Sequence, residues 1–311
     1  MICNNFFVPL ARNVIFFCLL ASGAFAQGTW KQVPTISVLD LWDVAFTDTL
    51  HGVALGNYGV LQRTTDGGRT WRQRLSKTQL AFRRLHFFDE KIGVACGLWG
   101  TMYRTTDGGE NWLLVRLGRK SAFVSMAAAG TATAWVCGEG GLILKTTDKG
   151  KTWFEQSSGT KFVLDAISFA DTLYGWCSST QGALLYTTDG GANWTPQNPK
   201  SDLPITCLYA ASPTTCWAAG FNGLVLKTTD AGKTWVRKPA YETRYNRIMF
   251  DKVGRGWAVG RIGSIVRSTD GGENWKLHFT SKATSINSIF FIDRDHGFAV
   301  GSQGTILKYV P

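Results

Sequence analysis

The chain has 311 residues, 44% hydrophobic and 18% charged, with 33 lysines and arginines against 22 aspartates and glutamates for a formal charge of +11. Its one sustained apolar run, Val14–Leu20, is short for a membrane-spanning helix, and no longer run follows, which excludes a protein built on such helices. The basic excess points to an acidic partner, an anionic membrane face or a polyanion, or only to a basic soluble surface.

In chain order, residues 1–26 read as a secretory leader: Arg12, the run Val14–Leu20, then Ala24-Phe25-Ala26 as a small-x-small cleavage site. An uncleaved N-terminal anchor is the alternative. Cys18 follows Phe16-Phe17 rather than the small residues that precede a lipoprotein cysteine, so no lipid anchor is expected. Removing 26 of the 311 residues leaves 285, and the leader's only charge is Arg12, so the mature chain carries +10.

From Trp30 onward the chain repeats itself. Trp30–Val33 is a short strand ended by Pro34, Leu41–Phe46 a second strand, and His51–Leu55 a third. Gly56-Asn57-Tyr58-Gly59 is a tight turn of hairpin type, and Val60–Thr64 is a fourth strand. It leads into Thr-Thr-Asp-Gly-Gly-Arg-Thr-Trp, Thr64–Trp71. This box recurs at Thr105–Trp112, Thr146–Trp153, Thr187–Trp194, Thr228–Trp235 and Ser268–Trp275, with a worn copy at Gly28-Thr29-Trp30. The tryptophans Trp30, Trp71, Trp112, Trp153, Trp194, Trp235 and Trp275 step by 41 residues, and by 40 at the last interval. The box reads as a structural turn. Asp66, Asp107, Asp148, Asp189, Asp230 and Asp270 accept from the backbone N–H groups just after them, the glycines take positive φ, and each Trp anchors the turn within its unit.

Four short strands per unit of about 40 residues is the signature of a propeller blade. Seven units of 41 would need 287 residues, so the 285 of the mature chain are a single domain, residues 27–311. The seventh copy, Ile286–Tyr309, ends without its own box and outer strand. The strand at Trp30 is expected to supply it and close the ring, which removes an open edge. The fold expected is all-β, a seven-bladed β-propeller with Asp-box turns. Five cysteines remain after the leader, so at least one is unpaired within the chain. Cys96 and Cys137 fall where other units have Leu55, Ala219, Val259 and Val300 and read as buried hydrophobes. Cys207 and Cys216 flank Ser212-Pro213 in one hairpin and, in an oxidising compartment, could form a disulfide.

The unit Gly-Trp-Ala-Val-Gly-x-x-Gly-x-Ile-x-x-Ser-Thr-Asp-Gly-Gly-x-x-Trp, at Gly256–Trp275, resembles the photosystem II stability/assembly factor family. That resemblance covers the mature chain. It implies an exported seven-bladed propeller without catalytic activity that binds other proteins, with a basic patch, and that helps assemble photosystem II in phototrophs. Its location would be periplasmic or secreted, or the thylakoid lumen in a phototroph.

In a propeller the boxes share one face, and the loops leading into the inner strands share the other with the Gly-x-x-Gly turns, around the channel mouth. That mouth is where basic residues gather: Arg83, Arg84, Arg116, Arg119, Lys120, Arg244, Arg247 and Arg261. Few carboxylates oppose them, namely Asp40, Asp43, Glu139, Asp165, Asp202 and Glu242. Aromatics are interleaved: Trp42, Tyr58, Phe82, Trp99, Phe123, Phe162, Phe221, Tyr241 and Tyr245. Arginine beside exposed aromatics is what interface hot spots are enriched in, so an acidic segment of an exported or membrane protein is the expected partner. A second basic set, Arg63, Arg104, Lys145, Lys227, Arg267 and Lys308, with Tyr186 the exception, precedes the boxes and is expected to pair locally within the blade or to keep the outer strands soluble rather than to build one site.

Sialidases carry Asp-boxes too, so a glycoside hydrolase is the alternative. It would use Arg83, Arg84 and Arg247 for a substrate carboxylate, Tyr245 with Glu242 as nucleophile pair, and Asp43 or Asp165 as acid. The regular spacing and short, equal loops argue against it. His51, His86, His278 and His296 show no metal-ligand spacing, and no phosphate-cradling motif is present. No cofactor, metal, nucleic acid or small-molecule substrate is expected, and the chain is expected to be a monomer.

Overall fold

The computed structural model describes residues 28–74 and 76–311, so the expected leader lies outside the described residues. The described residues form seven four-stranded antiparallel sheets, each built from consecutive strands except the last. Blade 1 runs from axis to rim as Leu41–Phe46, Gly52–Gly56, Leu61–Thr64 and Arg72–Arg74. Blades 2 to 6 begin at Phe82, Phe123, Ala166, Ile205 and Tyr245. The inner strands contact their neighbours all the way round.

Blade 7 holds Ile286–Phe291, Gly297–Gly301 and Ile306–Val310, and its outer strand is Thr29–Gln32 from the other end of the chain. Thr29 lies opposite Val310, Trp30 opposite Tyr309, Lys31 opposite Lys308 and Gln32 opposite Leu307. The ring is therefore closed as the sequence predicts, by a non-local pairing that leaves blade 7 no shorter than the rest.

The core lies in the seams between blades. The second strand of blade 1, Gly-Val-Ala-Leu-Gly, is buried along its whole length, because a neighbouring blade covers each of its faces. One cluster joins Val44, Phe46 and Ala54 of blade 1 to Phe298, Val300 and Ile306 of blade 7, with Trp71 among them. Trp112 is likewise buried in a cluster shared by blades 1 and 2. The box tryptophan thus anchors a seam, not only its own unit as the sequence suggested. Its N–H reaches a box carbonyl in some copies: Trp112 donates to Gly109 O and Trp153 to Gly150 O, both at 3.2 Å, and Trp275 to Gly272 O at 3.1 Å.

The boxes are latched from within. Thr64 Oγ1 donates to Asp66 Oδ1 at 2.8 Å and accepts from Gly68 N at 2.9 Å; Asp66 then accepts from Thr70 N at 2.9 Å and from Thr70 Oγ1 at 2.6 Å. The hydroxyl-to-Asp bond recurs in the other five boxes at 2.8 Å. These bonds hold the carboxyls of Asp66, Asp148, Asp189, Asp230 and Asp270 down at about 2, although burial opposes this and is the largest single influence on Asp148.

The basic residue before the box pairs within its blade in four units, where Lys145 lies over Trp135, Lys227 over Trp217, Arg267 over Trp257 and Lys308 over Phe298, at 4.9 to 5.7 Å from the ring centroid. In most units it also reaches the next blade. Arg63 Nε donates to Gly108 O in the next blade's box at 3.0 Å, and Arg104 Nε to Lys149 O at 2.9 Å. Lys145 Nζ reaches Gly190 O at 3.0 Å, Lys227 Nζ reaches Gly271 O at 3.3 Å, and Lys308 Nζ reaches Gly67 O at 2.8 Å, the last across the closing seam. Tyr186 takes the same route, its hydroxyl donating to Pro213 O of blade 5 at 2.9 Å. The repeated cation thus combines the expected local contact, with an aromatic ring of its own blade in four units, and a clasp to the next blade that the sequence did not announce.

The cysteine expectations divide. Cys96 and Cys137 are fully buried, as read. Cys207 and Cys216 are both free, because Cys207 pairs across the hairpin with Ala219 and Cys216 pairs with Ala210. Three rungs separate the two thiols along a strand, too far for a bond without moving backbone.

Candidate functional site: the channel and its mouth

Six of the inner strands carry a bulge one residue after their start, between Leu41 and Asp43, Phe82 and Arg84, Phe123 and Ser125, Ile205 and Cys207, Tyr245 and Arg247, and Ile286 and Ser288. A bulge leaves one residue unpaired and re-aims its side chain. The cause is legible: the residue opposite each strand start is a glycine whose absent Cβ makes room for backbone. A Cβ on Gly97 would sit 2.0 Å from Ala81 O, and on Gly138 1.9 Å from Ala122 O. Blade 4 has Ser179 at that place, and its inner strand pairs without a bulge, from Ala166 opposite Ser178. There Asp165 N bonds Ser178 O at 2.8 Å and its carboxylate accepts from Thr180 N at 2.7 Å.

The re-aimed residues, Trp42, Arg83, Val124, Thr206, Asn246 and Asn287, together with Asp165, line a recess of about 320 Å³ at the mouth. Every one of the seven blades contributes to it, and Arg84, Leu98, Ala122, Glu139, Val163 and Arg244 complete the lining. The next residue along, Asp43, Arg84, Ser125, Ala166, Cys207 or Arg247, lines a deeper cavity of about 290 Å³ in the channel. Arg84 borders both spaces.

Two of the mouth arginines lie over aromatic rings. The Arg83 guanidinium sits 3.7 Å from the Trp42 ring centroid, and Trp42 is itself pinned by its Nε1 donating to Asn57 Oδ1 at 2.8 Å. The Arg244 guanidinium lies 4.5 Å from the centroid of Phe221. Stacking restrains these long side chains while leaving the planar edge of each fork for a carboxylate. Burial pushes both guanidiniums below their ordinary value; Arg84 adds to this for Arg83 and Arg261 for Arg244. They remain charged at neutral pH.

The other mouth residues fall into distinct settings. Arg116, Lys120 and Arg261 are exposed. Arg119 is tied to Glu155 at 2.7 Å, so part of its charge is already answered. Trp99 is 65% exposed and stands in a turn at φ 56°, as Tyr58 does at φ 52°. Left-handed backbone is unfavourable for bulky residues, so both rings are held out at some conformational cost. Tyr245 departs from expectation. It is fully buried, its hydroxyl donates to Tyr241 O at 2.7 Å, and burial pushes its phenol well up. Phe82 and Phe123 are buried at the same position of their blades. One column of the repeat is hydrophobic or aromatic in all seven units, Leu41, Phe82, Phe123, Leu164, Ile205, Tyr245 and Ile286; it opens the inner strand except in blade 4, where Leu164 lies two residues before it, and that column marks core. It was the signal that could have removed Tyr245 from the site.

The set that a sialidase would need is not assembled. Neither Tyr245 nor Glu242 lines the recess or the cavity. Asp43 is committed to structure: it accepts from Ser288 Oγ at 2.6 Å, Leu85 N at 3.0 Å and Val44 N at 3.0 Å, stitching blades 7, 2 and 1. Among the described residues no group of three or more metal-binding side chains gathers.

Comparison with known proteins agrees with this architecture. The sequence matches the family described as photosynthesis system II assembly factor YCF48 over residues 23–160, 156–246 and 238–310. The fold is similar to a solved structure of YCF48 bound to D1 peptide, with a TM-score of 0.76 at 23% identity, covering 93% of this chain and 96% of that one. It is similar to YCF48 from Cyanidioschyzon merolae, with a TM-score of 0.75 at 23% identity, over 91% of this chain and 98% of that. The WD40 propeller of Doa1 is similar at a TM-score of 0.74 and 10% identity, over 90% of this chain and 96% of that, which shows how widely the architecture is shared. No curated protein matches the sequence. With the match running through every blade, the chain belongs to the YCF48 family of photosynthesis system II assembly factors.

Proposed function

We propose that this chain is an exported, non-catalytic assembly or stability factor that captures an acidic segment of another protein at the channel mouth. The observation that carries this reading is the pair of aromatic-backed guanidiniums, Arg83 on Trp42 and Arg244 on Phe221, bordering one recess. A guanidinium restrained by an aromatic ring can meet a carboxylate in two-pronged fashion with less entropy left to lose. Arg116, Lys120 and Arg261 widen the basic field, and Trp99 offers an exposed ring beside it. The family relative whose structure holds a D1 peptide supports a polypeptide ligand. The leader read at residues 1–26 supports export, to the periplasm or beyond, and to a thylakoid lumen if the host is phototrophic. The closed ring supports a monomer, since it leaves the ends of the sheet paired.

The test is fluorescence anisotropy with a labelled acidic peptide, its amide analogue and a basic scramble. The acidic peptide should bind, weaken with salt, and lose at least tenfold in affinity, about 1.4 kcal/mol, in Arg83→Glu/Arg244→Glu. Trp99→Ala should weaken it less. Equal binding of the basic peptide, or full binding by the double variant, refutes the reading. Crosslinking in the native cells would then name the physiological partner.

A further inference from the structure

Below the mouth, the channel holds more positive charge than the chain itself answers. Arg84 of blade 2 and Arg247 of blade 6 occupy the same inner-strand position and line the same cavity. Burial pushes the Arg84 guanidinium below its ordinary value; Asp43 pulls it up and Arg247 pushes it further down, so the two cations feel each other. Arg84 Nη1 donates to Arg83 O at 3.0 Å, but its buried Nε has no hydrogen-bond partner among the described residues.

Among the described residues Asp43 is the one carboxylate on the cavity wall, and it is spent on Ser288, Leu85 and Val44. Among the described residues neither arginine forms an ion pair with it or with any other acid. His86 on the same wall is held down to about 4, first by burial and then by Arg247 against Asp43, so it is neutral near pH 7. Two guanidiniums against one committed carboxylate leave one positive charge over in a recessed space, which is costly unless something compensates it. The wall also offers neutral donors that the fold does not use. Ser125 Oγ accepts from Ile167 N at 3.3 Å and Ser168 Oγ from Ala210 N at 2.9 Å, and neither hydroxyl proton has an acceptor among the described residues.

We propose that the channel is a binding site for a small oxyanion of the carboxylate or phosphate class, gripped by Arg84 and Arg247 with Ser125 and Ser168 as neutral donors. The size fits: at about 30 Å³ per water, a cavity of about 290 Å³ takes a small oxyanion with several waters. The charge excess, the orphaned Nε and the unspent hydroxyls all face the same need. Such an ion would tie blade 2 to blade 6 across the channel. This site lies deeper than the aromatic-backed pair at the mouth and does not rest on the peptide-binding reading. The oxyanion can be a free ion or the carboxylate of a bound polypeptide.

Titration calorimetry and thermal unfolding of the mature protein, with inorganic phosphate and with acetate against sodium chloride at matched ionic strength, test it. At least one oxyanion should bind saturably with one-to-one stoichiometry and raise Tm beyond the chloride control. Arg247→Met and Arg84→Met should each weaken that binding at least tenfold, and Arg247→Lys, which keeps the charge but not the fork, should weaken it less. Arg119→Met at the rim should leave it unchanged. If Arg84→Met does not fold, the two Arg247 variants carry the comparison. Competition between phosphate and the labelled acidic peptide assigns the site to a polypeptide carboxylate, and simultaneous binding of both assigns it to a free ion. Phosphate binding without peptide binding leaves this site standing while the capture reading falls. Curves for phosphate and acetate that both overlay chloride, or binding undiminished in Arg247→Met, overturn the proposal.

Discussion

Replacing Trp30 by alanine should loosen the ring at its one non-local closure. Trp30 is 3% exposed and lies between blades 6 and 7: its ring centroid is 5.8 Å from that of Trp257 at 86°, 5.7 Å from that of Phe291 and 5.4 Å from that of Tyr309. Truncating a buried tryptophan costs about 3–5 kcal/mol, through lost transfer energy and a cavity that stiff neighbours fill poorly. A domain is typically stable by about 5–15 kcal/mol, so this is a large share. The lost anchor also frees a strand of four residues, leaving Ile306–Val310 as an open edge. Equilibrium urea unfolding gives the energy, and hydrogen exchange at Ile306–Val310 gives the location. Trp30→Phe should recover most of the loss, because Trp30 Nε1 has no partner among the described residues and only ring volume is given up. Lys31→Ala, exposed on the same strand, should fall within about 0.5 kcal/mol of the parent. A loss under about 1 kcal/mol for Trp30→Ala, or unchanged protection of Ile306–Val310, would show that the ring does not depend on this strand.

Arg104→Met removes one clasp, the 2.9 Å bond to Lys149 O, and should cost about 1–2 kcal/mol in urea unfolding; a half-exposed site keeps it below the upper range for charged hydrogen bonds. Cys96, Cys137, Cys177, Cys207 and Cys216 are all buried and free, so a thiol reagent should label none of these five in the native protein and each of them after unfolding in denaturant without reductant. Acid should destabilise the fold in two stages. His86 is depressed to about 4, so its contribution is full above about 6.5 and is lost as pH falls toward 4, by up to about 3 kcal/mol, and His86→Phe should flatten that stage of the pH–stability curve. The box aspartates, depressed to about 2, contribute above their ordinary carboxylate range and lose that contribution as pH falls toward 2, which Asp189→Asn should mute.

Most of the fold was legible because the same instruction is written repeatedly. The period of 41 residues fixes the blade, and the shortfall after Tyr309 fixes where Trp30 must go. Within one strand, though, the sequence does not state register. Cys207 and Cys216 look like partners when only the hairpin is counted; the bulge after Ile205 and the actual pairing of Cys207 with Ala219 decide otherwise. Contacts between blades were equally hidden. The cation before the box recurs at one place in most units, but its second partner, beyond any aromatic ring of its own unit, lies in the next unit, some 45 residues along in the case of Arg63 and Gly108. Periodicity announces that such a residue has a job and is silent about whether the job is within the repeat or between repeats.

The candidate site was legible for the complementary reason. A position that repeats belongs to the scaffold, and the site is written where repeats disagree. The column holding Leu41, Phe82, Leu164 and Tyr245 is hydrophobic or aromatic throughout and is core, whatever chemistry a tyrosine could offer. The two columns after it change character from blade to blade: Trp42 and Asp43, Arg83 and Arg84, Val124 and Ser125, Asp165 and Ala166, Thr206 and Cys207, Asn246 and Arg247, Asn287 and Ser288. The bulge turns the first column to the mouth and the second into the channel, so seven near-identical blades present a surface with no symmetry of its own. A ring of equal blades with equal side chains could select a ligand only by shape. This one sets guanidiniums from blades 2 and 6 over rings of blades 1 and 5, with an acid at blade 4 between them in chain order, so a nearly regular ring carries a chemically uneven mouth.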